Sequence, residues 1–235
     1  MNSAARDLVV IVTGATGVAG RPTCAALAAA GHRVVAVGRD EAGLAQLRTD
    51  RISGRVCDLT DPVSVAELAG AVRQEMGAID GLVHLVGGWR GGRTFAANTD
   101  QDWKFLSATL IDTLRHVTLE LHDDLLASRA GRAVIVSAQA AGKPTAGNAN
   151  YATAKAAAEA WLQALADSLW RNQSRKTIDP LPQTSAAVTL VVKAIGEQDG
   201  FTPPGELATR ITALFDGDAT ELNGARIDLS AGSRR

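Results

Sequence analysis

The chain has 235 residues, 46% of them apolar, which is enough for one sizeable core and suits a single domain over residues 1–235. Its formal net charge is −1 and its basic residues do not cluster, so composition argues against binding nucleic acid or an anionic membrane. Cys24 and Cys57 are far apart and match no metal-ligand spacing. We therefore expect buried reduced thiols, no metal site and a cytoplasmic protein. The N-terminus does not resemble a signal peptide, and no apolar run approaches the roughly 20 residues of a membrane span.

Short apolar, β-branched runs alternate with helical stretches along the chain. The runs predict strands near residues 7–12, 32–38, 54–59, 79–87, 131–138, 186–195 and 225–230. The stretches between them predict helices near residues 18–31, 41–48, 60–77, 99–128, 150–170 and 203–215. This alternation predicts an α/β fold, a Rossmann-type, doubly wound parallel sheet of about seven strands with helices on both faces. The polar, proline-containing segment 171–185 is predicted to be a mobile surface loop.

A glycine-rich loop, Thr13–Gly20 (TGATGVAG), follows the first predicted strand and opens the first helix. Gly14 permits a tight turn, Gly17 lets backbone N–H groups approach a pyrophosphate, and Gly20 allows close helix–strand packing. The positive end of the helix then faces the phosphates. In this strand–turn–helix context the loop predicts nucleotide binding.

The residues that follow the second and third strands bear on the choice of cofactor. Gly38 stands where an acidic residue usually meets the free ribose 2′-hydroxyl, and Arg39 follows it with a planar cation suited to a 2′-phosphate. NADP(H) is therefore favoured over NAD(H). Asp40 is also placed to bind a free ribose 2′-hydroxyl, so NAD(H) stays open. Asp58 fits either an adenine contact or a helix cap.

Taken together, these features resemble the short-chain dehydrogenase/reductase family along nearly the whole chain. The glycine loop has the form more usual in the extended and atypical branches. Asp58–Leu59 matches the adenine-contact pair, Tyr151–Lys155 (YATAK) matches Y-x-x-x-K, and Glu221–Leu229 resembles the final turn and strand. The resemblance implies a catalytic set of Tyr151, Lys155 and Ser137. The cofactor-binding residues that it implies are Gly14, Thr16, Gly17, Val18, Gly20, Arg39, Asp58, Leu59, Gly87 and Lys155.

The resemblance also implies a mechanism. Tyr151 is the general acid that protonates a carbonyl oxygen during reduction, and a free phenol has a pKa near 10. Lys155, one helical turn along, and the charge of oxidised nicotinamide are expected to lower that pKa. A serine hydroxyl steadies the substrate oxygen, and Lys155 also holds the nicotinamide ribose.

The serine position is the first departure from the family pattern. The family serine usually stands thirteen residues before the tyrosine, which is Ala138 here, whereas Ser137 stands fourteen before. Either the intervening loop absorbs one residue and Ser137 is catalytic, or Ala138 replaces the serine and Ser137 points to the opposite face. Both interpretations are open from the sequence.

Other positions also depart from the pattern. His84 replaces a family asparagine and is expected to be a hydrogen-bonded core histidine, and Leu110 stands where an asparagine usually holds a relay water and is expected to pack. The proline–glycine turn after the sixth strand is missing, which predicts an open site or one completed by another chain. Segment 87–95 (GGWRGGRTF) is expected to be an exposed, mobile loop, unless Trp89 and Arg90 contact an aromatic or acidic substrate.

These features favour an NADP(H)-dependent oxidoreductase that acts on a small-molecule carbonyl or alcohol. The altered positions leave open an NADP(H)-binding regulatory or scaffold protein, and the glycine spacing leaves open an isomerase or dehydratase, against which the short C-terminal region argues. Trp161 and Trp170 lie on a broad apolar surface of the helix after Tyr151, which predicts a homodimer or homotetramer.

Overall fold

A parallel sheet of seven strands forms the centre of the protein, in the order β3-β2-β1-β4-β5-β6-β7. The computed structural model describes residues 7–175 and 178–230. The strands are β1 (Val9–Thr13), β2 (Arg33–Gly38), β3 (Ile52–Val56), β4 (Gly81–His84), β5 (Arg132–Ala138), β6 (Ala186–Val192) and β7 (Arg226–Asp228). Every neighbouring pair is parallel, which confirms the predicted doubly wound α/β fold.

Helices cover both faces of this sheet. They are α1 (Gly20–Ala29), α2 (Glu41–Ala45), α3 (Pro62–Met76), α4 (Asp100–Ser107), α5 (Thr113–Glu120), α6 (His122–Ala127), α7 (Ala149–Asn172), α8 (Pro204–Ala213) and α9 (Ala219–Leu222). The first residues of α3 follow the sequence signals, since Asp61 caps the helix and Pro62 opens it. Within the described residues no helix is long and apolar enough to cross a membrane.

The core divides according to the alternation of strand side chains. Val10 and Val12 point to the face covered by α1 and α8, whereas Val9 and Ile11 point to the face covered by α3 and α5. In β5, Ile135 likewise packs under α7. Because both faces are buried, the strands are continuous apolar runs, as parallel sheets require.

The predicted helix over residues 99–128 is interrupted. A π-helical segment, Ala108–Asp112, separates α4 from α5, and Leu121 separates α5 from α6. In the π segment, the Thr113 N–H donates to the carbonyl of Ala108 and the Thr113 hydroxyl donates to the carbonyl of Thr109 at 2.7 Å. The apolar side chains that recur at helical spacing along residues 99–128 still face inward. The hydrophobic periodicity of the sequence therefore gives no sign of the interruption.

Segment 171–185 is anchored where the structure describes it. The side chain of Gln173 is buried and donates to the carbonyl of Leu126, while its oxygen accepts from the backbone of Thr184 and Ser185. These bonds hold the two ends of the segment together, and its mobility stays a prediction. Residues 176–177 of that loop lie outside the described residues.

Candidate active site

The glycine loop between β1 and α1 forms a backbone cradle. Gly14 has φ +69°, and a Cβ there would lie 2.7 Å from the carbonyl oxygen of Leu85. A Cβ on Gly20 would collide with the carbonyl oxygen of Gly14. The backbone N–H groups of Thr16 and Val18 donate no hydrogen bond within residues 7–175 and 178–230. Free amides at a helix start, with no side chain in the way, suit a phosphate group.

A groove of about 350 Å³ begins at this loop and passes the ends of β2, β3 and β4. The predicted cofactor-binding residues that line it are Gly14, Thr16, Gly17, Arg39, Asp58, Leu59 and Gly87. Three predicted residues, Val18, Gly20 and Lys155, do not border the groove. Val18 is 64% exposed at the loop, and Gly20 is buried in the first turn of α1.

Charges at the outer end of the groove favour a phosphate ligand. The Asp40 carboxylate caps α2 by accepting from the backbone N–H of Gly43 at 3.0 Å. Arg39 is exposed and forms no ion pair with a described residue, so its guanidinium is free to meet an anion. Asp58 forms a turn by accepting from the backbone and hydroxyl of Thr60, which lowers the pKa of its carboxyl. It lies at the groove but does not cap α3.

A second cavity, of about 480 Å³, continues from the groove at the C-terminal edge of the sheet. The two share Leu85, Val86 and Gly87, which follow β4. Tyr151 and Lys155 from α7 line this cavity. The structure therefore brings the predicted tyrosine and lysine beside the end of the predicted nucleotide groove.

The electrostatics of this pair differ from the sequence prediction. Burial raises the pKa of the Tyr151 phenol above its usual value near 10, whereas a lowered pKa was predicted. The Lys155 ammonium donates to the carbonyl of Val136 at 2.8 Å and lies 5.9 Å from the tyrosine ring centroid. Burial lowers the pKa of Lys155 to about 8, and the nearby charge of Glu159 opposes that shift.

Ser137 and Ala138, at the end of β5, both border the cavity. The Ser137 hydroxyl, however, donates to Glu159 on α7 at 2.5 Å, and Glu159 also accepts from Arg226 of β7 at 2.9 Å. Ser137 shares the strand face of Ile135, under α7, and the next residue points to the other face. The geometry favours the interpretation in which Ala138 replaces the family serine. The predicted catalytic role of Ser137 stays a prediction, and in this arrangement its hydroxyl donates its hydrogen bond to a carboxylate.

His84 and Leu110 have the structural roles that the sequence predicts. His84 is buried and bridges the hydroxyls of Thr13 at 2.8 Å and Thr113 at 3.2 Å. Burial and the charge of Lys155 lower its pKa to about 3, so the ring is neutral. Leu110 is 3% exposed and belongs to the small apolar cluster against which Tyr151 packs.

Segment 87–95 is mostly exposed, as predicted, and it contacts neighbouring segments. The N–H of Gly92 donates to the carbonyl of Gly147 at 2.7 Å, and a Cβ on Gly147 would collide with Gly92. Arg90 stacks on the ring of Phe105, 4.6 Å from its centroid. Trp89 is 64% exposed and lines the cavity, so it remains available to a substrate.

Residues 193–203 join β6 to α8. Lys193 and Ile195 of this segment line the cavity. So does Asn148, three residues before Tyr151. Neither Lys193 nor Asn148 was predicted from the sequence to line the site. The i, i+3 spacing of Asn148 and Tyr151 was the available signal for the asparagine.

Comparisons with known proteins agree with this fold. The family model for short chain dehydrogenases matches residues 8–175. The 3-oxoacyl-[acyl-carrier-protein] reductase FabG of Escherichia coli (strain K12) is 28% identical over 162 residues, which cover 67% of this chain and 66%, just under two thirds, of that relative. Acetoacetyl-CoA reductase of Acinetobacter sp. (strain RA3849) is 27% identical over 241 residues, covering 95% of this chain and 96% of the relative.

Solved structures show the same fold. An NADPH-bound short chain oxidoreductase from Pseudomonas aeruginosa PAO1, which contains an atypical catalytic center, superposes with a TM-score of 0.83 at 20% identity and covers 98% of this chain and 99% of its own. A short chain dehydrogenase, described as putative, from Pseudomonas syringae gives a TM-score of 0.82 at 23% identity, with 97% of each chain covered.

A parallel sheet with a glycine cradle at one strand end defines a Rossmann-type fold, and a tyrosine–lysine pair lies beside the cradle. The chain belongs to the short chain dehydrogenase family. The curated relatives are named as reductases.

Proposed function

We propose that this oxidoreductase uses NADP(H) and interconverts a carbonyl compound and an alcohol, with Tyr151 as general acid/base. The observation that carries the proposal is the continuity of the glycine-loop groove with the cavity lined by Tyr151 and Lys155. The free Arg39 guanidinium and the capping role of Asp40 support a cofactor with a 2′-phosphate over NAD(H).

The residues present fit such a dinucleotide. The free amides of Thr16 and Val18 suit its pyrophosphate, Arg39 its 2′-phosphate, and Lys155 its nicotinamide ribose. When bound, the cofactor supplies or accepts the hydride. The protein itself orients the reacting groups and transfers one proton.

Tyr151 donates or accepts that proton at its phenol oxygen. For reduction the phenol must carry its proton, and the raised pKa ensures that it does at neutral pH. Proton release to the substrate oxygen leaves a phenolate, which the Lys155 ammonium stabilises from one helical turn away. Since Lys155 has a pKa of about 8, reduction is expected to weaken as the pH rises through that value and the charge is lost.

Two finer features of the proposal concern assembly and location. We infer a homodimer or homotetramer from the exposed Leu119 and Trp170 on α5 and α7. The surface is smaller than the sequence suggested, because Trp161 packs inward and donates to Thr118. The two cysteines are buried and form no disulfide, which is typical of proteins of the cytoplasm, and we infer that location.

Turnover of a substrate panel tests the proposal. Ketones, quinones and a 3-oxoacyl thioester, chosen from the names of the relatives, are assayed with NADPH and with NADH. We expect NADPH-dependent reduction of at least one compound, and its loss in Tyr151→Phe. Thr153→Val, an exposed change on the same helix, is the matched control and should retain activity. Activity that survives unchanged in Tyr151→Phe would remove the proposed acid.

A further inference from the structure

At the position where the family pattern places a serine, this chain has Ala138. Ala138 has no polar side chain, and the Ser137 hydroxyl donates to Glu159 under α7. A carbonyl oxygen that accepts a proton from Tyr151 nevertheless gains negative charge during reduction. A second hydrogen-bond donor at that oxygen is the usual way to stabilise such charge.

Asn148 has a free donor whose orientation is fixed. The backbone N–H of Thr145 donates to Oδ1 of Asn148 at 2.7 Å, within a capping box at the turn that precedes α7. An N–H needs an acceptor, so this end of the amide is the oxygen and the other end is the NH₂ group. Within the described part of the chain, that NH₂ group donates to no acceptor.

Asn148 borders the same cavity as Tyr151. Asn148 is the residue immediately before α7, three residues before Tyr151, and residues at this spacing are neighbours on a helix surface. Asn148, Tyr151 and Ala138 all line the same cavity. The capping box also restricts the rotation of the side chain, so that the donor is preorganised.

We propose that the Asn148 side-chain NH₂ group is a catalytic hydrogen-bond donor to the substrate carbonyl oxygen, in the role that a serine hydroxyl has in the family pattern. The proposal rests on the proposed function and deepens it. Asn148 exchanges no proton or electron in this role. It stabilises the charge on the oxygen that Tyr151 protonates.

Asn148→Asp is the decisive variant, because aspartate has nearly the same shape and retains the oxygen that accepts from Thr145 but loses the donor. We expect kcat/KM for carbonyl reduction to fall about 10- to 100-fold, the usual cost of one such donor. The dissociation constant of NADPH, measured by fluorescence, should stay unchanged. Asn148→Ala repeats the loss of the donor without adding a negative charge. Asn172→Asp makes the same chemical change at the far end of α7 and should have no effect.

Rescue by a restored hydroxyl makes the test specific. Ala138→Ser places a serine at the family position, and in the Asn148→Asp background it should recover most of the lost kcat/KM. Full activity in both Asn148 variants, with the wild type active, would overturn this inference and leave the proposed function standing. Variants that lose activity without rescue, and with weakened NADPH binding, would assign Asn148 a structural role instead. A wild type that reduces no compound of the panel would overturn the proposed function and this inference with it.

Discussion

Replacing Lys155 with methionine should change how the stability of the protein depends on pH. Burial lowers the pKa of Lys155 from 10.5 to about 8. Between these values the unfolded chain binds more protons than the folded one, so the stability of the wild type rises with pH. At neutral pH Lys155 is protonated in both the folded and the unfolded state. The folded protein is then destabilised by the full free-energy cost of burying that charge. Methionine has a similar length and no charge, so the variant lacks this dependence.

The magnitude follows from the two pKa values. Between about pH 7 and about pH 9.5 the wild type should gain roughly 2 kcal/mol of unfolding free energy relative to Lys155→Met, out of about 3 kcal/mol for the complete shift. Urea unfolding followed by tryptophan fluorescence measures both proteins at the two pH values. Taking the difference between proteins cancels the titration of all groups they share.

A matched control separates this effect from the loss of any lysine. Lys143 is exposed in the loop before α7, and Lys143→Met should differ from the wild type by the same amount at both pH values. If the difference between the wild type and Lys155→Met is also independent of pH, Lys155 is not a buried ammonium with a lowered pKa. The electrostatic reasoning about the site would then fail.

Two further predictions concern charges around the site. Glu159→Gln removes the carboxylate whose charge raises the pKa of Lys155, so the loss of kcat/KM at high pH should begin at a lower pH than in the wild type. The control Asp167→Asn, on the same helix, should leave the pH profile unchanged. Arg39→Leu should weaken NADPH by about 10-fold or more, as expected for a charge-assisted hydrogen bond, and should leave NADH nearly unchanged in fluorescence titrations. Equal losses for the two cofactors would refute a 2′-phosphate contact.

Much of the fold could be predicted from the sequence, because its signals are local or periodic. Continuous apolar runs mark strands buried on both faces, and Asp61–Pro62 marks a helix start. The glycine loop was also predictable, since the backbone geometry at Gly14 and Gly20 excludes a side chain. The same local logic identified His84 and Leu110 as packed residues.

Features that depend on contacts between distant segments could not be predicted. The sequence leaves two orientations open for Ser137, and the choice between them rests on Glu159, which is 22 residues away on another element. The sign of the Tyr151 pKa shift depends on burial. The interruption at Ala108–Asp112 leaves the apolar stripe in register, so periodicity contains no trace of it.

The role of Tyr151 as a tunable proton donor is the central claim, and the chain offers a direct measurement of it. Tyr151 is the only tyrosine, so the near-ultraviolet absorbance of phenolate reports its ionisation alone. In the protein by itself we expect a pKa above the usual value near 10. Saturating NADP⁺ should lower that pKa, because the positive charge of oxidised nicotinamide favours the phenolate. A titration curve that NADP⁺ leaves unmoved would contradict the account.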